Sequence, residues 1–289
     1  MPGSPVGRTL DWYAVAARDL PWRRPGTSPW AVMVSEFMLQ QTPVERVKKP
    51  WSEWIERWPQ PAVLAEAPVG AAIRAWGRLG YPRRALRLHA AATAMVDRHE
   101  GAVPASYRAL LQLPGVGEYT AAAIASFAFG QRHVVVDTNV RRLLARVVLG
   151  EEFPGRSPAA ERVAATELLP RTAARAARWA VASMELGALV CTASNPRCEV
   201  CPVGRLCTWK MAGKPVWQGK PRVRQTYEGT DRQCRGVLLA VLRSRDEPVE
   251  AAELESAWPE PAQSARALAS LLADGLVARS PTGALHLPG

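Results

Sequence analysis

Apolar residues recur along most of this chain at the three- and four-residue spacing of an α-helix, and segments that alternate apolar and polar residues are few. The pattern therefore predicts an all-α protein. Proline and glycine separate the helical segments from one another. The expected helices cover residues 10–16, 29–41, 61–66, 69–76, 83–99, 106–112, 119–129 and, with a loop at 154–158, 137–189; a further helix begins at Thr42-Pro43 and carries Trp51, Trp54 and Trp58.

The C-terminal segment predicts a small unit of its own. Helical patterns at residues 235–243, 251–257 and 262–273 are followed by two extended segments, 275–280 and 283–287, on either side of a turn. Three small helices and a terminal β-ribbon are typical of a winged helix. Residues 213–232 contain proline, glycine, lysine and arginine and are predicted to be a linker.

Composition narrows the class of protein. The 289 residues are enough for about two domains at roughly 150 residues each, and 48% of them are hydrophobic. Lys and Arg outnumber Asp and Glu by 37 to 26, which favours a polyanionic partner such as nucleic acid, although an arginine-rich protein without that partner stays possible. Without an apolar run near the ~20 residues that span a bilayer, and without a secretory signal, we expect a cytosolic protein with no membrane partner.

A turn with two glycines joins two of the predicted helices. Leu113, Pro114, Gly115, Val116 and Gly117 lie between the helix at 106–112 and the helix at 119–129. A helix, a tight turn and a second helix form a helix-hairpin-helix. Its exposed backbone amides can bind a DNA phosphate without reading base sequence.

Four cysteines are grouped within seventeen residues: Cys191, Cys198, Cys201 and Cys207, with the spacing C-x6-C-x2-C-x5-C. Disulfides are unexpected in a cytosolic protein, so the group predicts a metal site. Four thiolates can hold either zinc or a [4Fe–4S] cluster. The irregular spacing favours the [4Fe–4S] cluster, and zinc remains the alternative. Cys234 lies outside the group and is interpreted as an ordinary buried or half-buried thiol.

Two carboxylates are candidates for catalysis. Glu36 shares a helical face with Val32, Met33 and Leu39, so burial is expected to raise its pKa and let it donate a proton. Asp137 follows three valines at the start of a helix, where it is expected to be ionised and can also be an N-cap. A neutral acid and an anion together can break a glycosidic bond. A Glu at the edge of its helix and an Asp that is only a cap remain the structural alternatives.

Further side chains near these acids suit a base-flipping enzyme. Gln41 and Tyr81 could wedge into a base stack, while Trp22 and Tyr119 could line a pocket for an extruded base. Each alone is more simply read as structural.

Several motifs then occur together in one order. They are Ser35-Glu36-Phe37-Met38-Leu39-Gln40-Gln41-Thr42, Gly80-Tyr81, Leu113-Pro114-Gly115-Val116-Gly117, Val136-Asp137-Thr138-Asn139-Val140 and Glu185-Leu186-Gly187-Ala188-Leu189-Val190-Cys191. With the four cysteines they resemble the MutY-type adenine DNA glycosylases of the helix-hairpin-helix, Gly-Pro-Asp superfamily. The resemblance covers about residues 8–210.

The resemblance implies a two-lobed helical glycosylase fold with an iron–sulfur loop. Expected domains are a six-helix domain with the helix-hairpin-helix at 26–133, a cluster domain at 1–25 and 134–212, the linker at 213–232 and the winged-helix-like unit at 233–289. It implies that Glu36 protonates adenine and Asp137 stabilises the oxocarbenium. Tyr119, Asn139, Arg23, Trp22 and Glu185 would support the pocket; Gln41, Tyr81, Leu113, Gly115, Val116 and Gly117 would bind DNA; the four cysteines would bind the cluster.

The implied activity is removal of adenine opposite 8-oxoguanine or guanine in double-stranded DNA, by a monomer. Tyr119 stands where strand-cutting relatives have a lysine, so little lyase activity is expected, and a pyrimidine glycosylase/lyase is disfavoured. A thymine (G·T) mismatch glycosylase is the alternative. A non-catalytic DNA-binding or redox-sensing protein is disfavoured because Glu36 and Asp137 are both present. The last sixty residues do not resemble the Nudix-like domain that recognises 8-oxoguanine, so the C-terminal unit is expected to contact DNA non-specifically.

Overall fold

The computed structural model describes residues 3–155, 157–219 and 226–289, and these residues are mostly helical. The all-α prediction is confirmed. The helices are α1 Pro5–Ala16, α2 Pro29–Leu39, α3 Val44–Arg57, α4 Pro61–Ala65, α5 Val69–Trp76, α6 Arg83–His99, α7 Tyr107–Leu111, α8 Glu118–Phe129, α9 Thr138–Leu144, α10 Pro158–Glu167, α11 Ala173–Leu189, α12 Thr208–Met211, α13 Asp231–Arg243, α14 Ala251–Ser256 and α15 Pro261–Ala273.

Short irregular elements complete the chain. A 3-10 turn covers Pro21–Arg23, and a π-helical turn covers Ala145–Leu149 directly after α9. The two short strands are β1, Ala278–Arg279, and β2, Leu285–His286.

Local chemistry explains most helix boundaries. Proline stands in the first turn of α1, α4, α10 and α15, where its missing N–H is not needed. Three larger differences from the sequence prediction stand out. Helix α1 begins at Pro5, five residues before the predicted start at residue 10, because the Ser4 side chain caps it by accepting a hydrogen bond from the Gly7 amide. Helix α13 begins four residues early, because the Thr230 side chain caps it by accepting a hydrogen bond from the Gln233 amide. A break between α10 and α11 interrupts the helix predicted over 137–189.

The described residues form two compact units. The first contains residues 3–32, 105–111 and 116–219, and the second contains residues 33–104, 112–115 and 226–289. In the first unit, α11 packs against α1, α8 and α9. Gly187 on α11 permits the close approach of α9, because a Cβ atom at this position would lie 2.8 Å from the Asn139 Cβ. Three of the predicted site residues, Tyr119, Asn139 and Glu185, lie on these packed helices.

Tryptophans form the centre of the second unit. Trp54 of α3 makes edge contacts with Trp58, at 4.6 Å between ring centroids, and with Trp76 of α5, at 5.6 Å. All three are buried. Helix α6 packs against α4 and α5. Both ends of the loop between Trp76 and α6 are therefore attached to helices that pack against each other.

The C-terminal segment of the second unit has the order predicted for a winged helix. Helices α13, α14 and α15 precede the antiparallel β1–β2 ribbon, in which Ala278 pairs with His286, and Val249 adds a further bridge to Leu285. Leucines from these elements form one apolar cluster that also contains Ile73 of α5. Residues 226–289 carry six arginines and nine aspartates and glutamates. That acidic balance does not favour the non-specific DNA contact expected of this unit.

Candidate active site and nucleic-acid interface

Asp137 lies immediately before α9 and caps it. Its Oδ1 accepts hydrogen bonds from the backbone N–H groups of Asn139, at 2.9 Å, and Val140, at 2.7 Å. Its Oδ2 accepts a hydrogen bond from the Asn139 side-chain amide at 2.7 Å. The N-cap alternative for Asp137 is therefore correct as far as it goes, and the same bonds hold both carboxylate oxygens in one orientation.

The surroundings of Asp137 affect its ionisation in two directions. Partial burial raises its pKa, and the bonds from Val140 and Asn139 and the charge of Arg142 oppose that rise without cancelling it. The amides at the helix entrance therefore lower the pKa of Asp137, as expected, while burial raises it by more; that Asp137 is ionised in the reaction stays a prediction. Removal from water outweighs the local donors because the side chain is only half exposed to solvent.

Asn139 connects Asp137 to a hydrogen-bond chain that ends at a cysteine. Its Oδ1 accepts from Arg142 Nη2 at 2.8 Å, and Arg142 Nε donates to the Cys191 carbonyl at 2.7 Å. Arg142 Nη2 also donates to the Gly187 carbonyl at 2.7 Å. The predicted supporting residue Asn139 is therefore held by both α9 and α11. Arg142 was missed from sequence, where it looks like one of many arginines.

Glu185 is the centre of a buried ion pair on α11. Its side chain is completely buried, and its oxygens accept hydrogen bonds from Arg18 Nε at 2.6 Å, Arg18 Nη2 at 2.8 Å and Arg23 Nη1 at 2.7 Å. Burial alone would raise its pKa, but the two guanidinium groups lower it to about 2. The structure thus joins the predicted residues Arg23 and Glu185, and it adds Arg18, which no motif had marked.

Two aromatic candidates lie in the same unit. Trp22 is buried in the 3-10 turn beside Arg23. Tyr119 is half-buried in the first turn of α8, against a cluster that includes Ala122, Val135 and Ala180. These positions do not test the pocket roles predicted for Trp22 and Tyr119, which therefore stay predictions.

The four grouped cysteines line one cavity. Cys191 and Cys207 are buried, and Cys198 and Cys201 are half-buried. Burial and the neighbouring thiols raise the pKa of Cys201 to about 11. Four thiols around one space are the donor set of an iron–sulfur cluster, which bonds each cysteine at a separate iron. No three His, Cys, Asp or Glu side chains in the described residues are arranged to hold a single metal ion.

Arg146 places a positive charge beside this cavity. It is 1% exposed, lies between the rings of Trp209 and Phe153, and points Nη1 at the Cys191 Sγ over 3.5 Å. A cation here offsets the negative charge that four thiolates bring.

Glu36 lies in the second unit and is 5% exposed. The predicted apolar stripe is wrong in detail, because α2 is buried on every side from Trp30 to Met38. The structure confirms that Glu36 is removed from water, because an acid on such a helix is buried whichever face it occupies; its role as a proton donor stays a prediction. A helix buried all round shows no amphipathic pattern, so its residues could not be sorted by periodicity.

Gln41 and Tyr81 share an unusual backbone conformation in this unit. Both are left-handed, with φ of 54° and 47°, and both side chains are exposed. Arg84 lies between the two segments and donates to carbonyl groups of both. Burial lowers the pKa of Arg84 to about 10, so it stays protonated at neutral pH. No sequence signal distinguished Arg84 from the neighbouring Arg83 and Arg87.

The glycine turn before α8 has the conformation that a helix-hairpin-helix requires. Gly115 has φ of 77°, and a Cβ atom there would lie 2.6 Å from the Arg87 Cβ. Gly117 caps α8 without a side-chain hydrogen bond and has open space around its Cα. Leu113 and Val116 are buried, so their side chains support the turn from within. The amides at the start of α8 suit an anion.

Comparisons with known families agree with this arrangement. The family described as HhH-GPD superfamily base excision DNA repair protein matches residues 34–167, and the iron-sulfur binding domain of endonuclease III matches residues 191–207. The adenine DNA glycosylase of Mycobacterium tuberculosis (strain ATCC 25618 / H37Rv) is 53% identical over 283 residues, which cover 97% of this chain and 92% of that protein. The chain belongs to the adenine DNA glycosylase family.

Other relatives extend the comparison. The adenine DNA glycosylase of Mycolicibacterium smegmatis is 51% identical, covering 99% of this chain and 96% of that protein. The human adenine DNA glycosylase is 41% identical, covering 70% of this chain but 38% of the human protein. A thermostable thymine-DNA glycosylase structure has a TM-score of 0.64 at 27% identity, covering 72% of this chain and 95% of that one. An endonuclease III–DNA complex at 22% identity, with a TM-score of 0.61, shows the shared fold.

Membership of the family confirms several predictions. The chain is a base excision DNA repair glycosylase that acts on N-glycosyl bonds in DNA, and its cofactor is an iron–sulfur cluster. The zinc alternative for the cysteines is set aside by the match over residues 191–207. In the described residues, no helix is both long enough and apolar enough to cross a membrane.

Proposed function

We propose that this glycosylase excises adenine paired with 8-oxoguanine or guanine in double-stranded DNA and leaves an abasic site. The observation that carries the proposal is the Asp137 carboxylate, which is fixed by three hydrogen bonds and is still partly open to solvent. An anion held in this way can oppose positive charge that develops on a sugar. The 53% identity to mycobacterial adenine DNA glycosylases supports adenine as the base.

Glu36 is the proposed acid. Its carboxyl group gives its proton to N7 of the extruded adenine, so the electron pair of the bond between C1′ and N9 leaves with the base. Burial on α2 supports this role, because a buried carboxyl group favours the neutral form that can donate.

Asp137 is the proposed electrostatic partner. As the glycosidic bond breaks, the sugar becomes an oxocarbenium-like cation, and the ionised carboxylate faces it. A water molecule then adds at C1′ and gives a proton to the Glu36 carboxylate, which leaves the neutral abasic hydroxyl and restores the acid. Asn139 and the α9 amides keep the carboxylate in place through the step.

Tyr119 limits the reaction to base removal. A lysine amine at this position could attack C1′ and form a Schiff base that leads to strand cleavage. A phenol cannot form that adduct, so we propose little or no lyase activity.

DNA binding is assigned to the turn before α8 and to the two left-handed residues. The amides near Gly115 and Gly117 would hold a phosphate, and exposed Gln41 and Tyr81 would enter the base stack beside the mispair. The formal charge of +11 supports binding that weakens as salt rises.

The cofactor is assigned a structural role. The four cysteines, Cys191, Cys198, Cys201 and Cys207, would hold the cluster, and the cluster would fix the loop between the first and the last of them. No proton or electron of the reaction passes through it.

We also keep the predicted domains at 26–133, at 1–25 with 134–212, and at 233–289 as a proposal. A monomer in the cytoplasm is likewise proposed, and sedimentation of the protein with and without duplex would test the monomer.

A single-turnover assay tests the function. Duplexes with A opposite 8-oxoguanine, A opposite G and T opposite G are each incubated with excess holoprotein, and products are scored with and without hot alkali. We expect adenine release, with strand breaks only after alkali. Cleavage confined to the thymine strand would support the thymine alternative, and borohydride trapping of a covalent adduct would contradict the role given to Tyr119.

The variant Glu36→Gln tests the proposed acid. It should bind the duplex but release no adenine.

A further inference from the structure

Arg84 connects the two segments that carry Gln41 and Tyr81. It lies in the first turn of α6 and is 5% exposed. A buried cation at a helix N-terminus is unfavourable, because the N–H groups there already carry partial positive charge. Its position therefore needs a tertiary reason.

The first half of that reason is the end of α2. Arg84 Nη1 donates to the carbonyl oxygens of Phe37 at 2.8 Å, Met38 at 3.0 Å and Gln40 at 2.6 Å. The last carbonyl groups of a helix have no partner within the helix, so they require donors from elsewhere. The planar guanidinium supplies them, directly before Gln41.

The second half is the loop before α6. Arg84 Nη2 donates to the Gly80 carbonyl at 3.0 Å and to the Thr42 hydroxyl at 3.0 Å. Its Cζ lies 5.2 Å from the centre of the Trp76 ring and 5.4 Å from the centre of the Tyr81 ring. One side chain thus bonds the residues on either side of Gln41 and the residue before Tyr81, and it supports the Tyr81 ring.

Left-handed backbone is unfavourable for residues other than glycine and persists only where surrounding contacts hold it. Gln41 and Tyr81 are both left-handed, and the contacts that hold their segments converge on Arg84. We propose that Arg84 is a positioning residue that joins Gln41 and Tyr81 into one wedge, so that the two side chains enter the DNA together. The inference rests on the proposed wedge roles of these two residues.

The test measures the fluorescence of 2-aminopurine in a duplex where 8-oxoguanine is paired with a 2′-fluoro-adenosine that resists excision. The 2-aminopurine stands next to the 8-oxoguanine in the same strand. Insertion of the wedge unstacks 2-aminopurine and raises its emission. Arg84→Lys retains the charge but loses the planar fork. We expect it to lower the emission rise and the single-turnover rate on normal A·8-oxoguanine duplex by about tenfold, and we expect Tyr81→Ala to lower both by a similar factor.

A double-mutant cycle separates positioning from general damage. If Arg84 acts through the wedge, the excision rate of the double variant Arg84→Lys, Tyr81→Ala should lie within about twofold of the slower single variant. Multiplied losses, or a wild-type emission rise in folded Arg84→Lys, would overturn the proposal. Arg74→Lys is the control, because Arg74 also donates to backbone carbonyls in this unit, but to those of Arg243 and Arg245. It should match the wild type.

A gentler variant covers the possibility that Arg84→Lys does not fold. Thr42→Val keeps the shape of the side chain and removes one acceptor of Arg84, so it should reduce the emission rise in the same direction by a smaller factor. An unchanged rise would count against the proposal. If Gln41→Ala and Tyr81→Ala both leave emission and rate unchanged, the wedge roles fail and Arg84 loses this function, while adenine release by the wild type still stands. Absence of adenine release by the wild type would instead reject the proposed function.

Discussion

Asp137 and Glu185 are carboxylates that belong to two helices packed against each other, yet their environments move their pKa values in opposite directions. Asp137 is half-buried and accepts bonds mainly from neutral amides, and its pKa is raised. Glu185 is fully buried and bonded to two guanidinium groups, and its pKa falls to about 2. The comparison shows that the charge of the partners, rather than the depth of burial, decides the direction. We propose that Asp137 serves the reaction, and we expect Glu185 to stabilise the fold.

The largest expected effect comes from removing the charge of Asp137. Asp137→Asn should lower the single-turnover rate of adenine release by about a thousandfold or more, because a neutral amide cannot oppose the oxocarbenium charge. Its remaining oxygen still accepts from the backbone amides of Asn139 and Val140, so the cap should be kept, while the bond from the Asn139 side-chain amide is lost because the new NH2 group cannot accept it. A rate within tenfold of the wild type would remove Asp137 from the role of electrostatic partner.

The second prediction concerns Glu185, the other carboxylate of this comparison. Glu185→Gln leaves Arg18 and Arg23 partly buried without an anion and should reduce the free energy of unfolding by about 3–5 kcal/mol in urea. Glu161→Gln is the control, since Glu161 is also buried but its partner Arg141 is 40% exposed. The control should lose about 1 kcal/mol or less. Equal losses would show that the two-arginine arrangement has no special weight.

Acid titration sharpens the same comparison. Because the folded-state pKa of Glu185 is about 2 and its ordinary pKa is 4.5, its contribution to stability is complete above pH 4.5 and is lost as pH falls towards 2. Asp137, with a raised pKa, has the opposite sign and costs stability as pH rises through its folded pKa. Melting temperatures from pH 2 to 7 should therefore converge for wild type and Glu185→Gln at the acid end. A constant difference across this range would contradict the assignment.

The smallest expected effect concerns the spacing of the two helices. Gly187→Ala should cost about 1–3 kcal/mol and slow excision, because the new methyl group would press on Asn139 and disturb the support of Asp137. Gly236→Ala in α13 is the matched helical control, since its nearest neighbour is the flexible Tyr227 hydroxyl at 3.3 Å. The control should be neutral or stabilising. Loss of stability without any change in excision rate would separate the packing from the chemistry.

Much of this protein was determined by local sequence. Helical periodicity, proline and glycine positions and the cysteine spacing predicted the all-α fold, the order of the C-terminal elements and the iron–sulfur cofactor, because each depends on residues close together in the chain. The motifs around Glu36 and Asp137 indicated the glycosylase family for the same reason.

Only the tertiary structure decided the environment of each charge. Arg18 reaches Glu185, Arg142 reaches Cys191 and Arg84 reaches the end of α2 across long stretches of sequence, and in a chain with 37 lysines and arginines no local pattern marks which of them are buried. The same holds for the raised pKa of Asp137. A pKa depends on how much water and which partners surround a group, and folding alone brings those partners together.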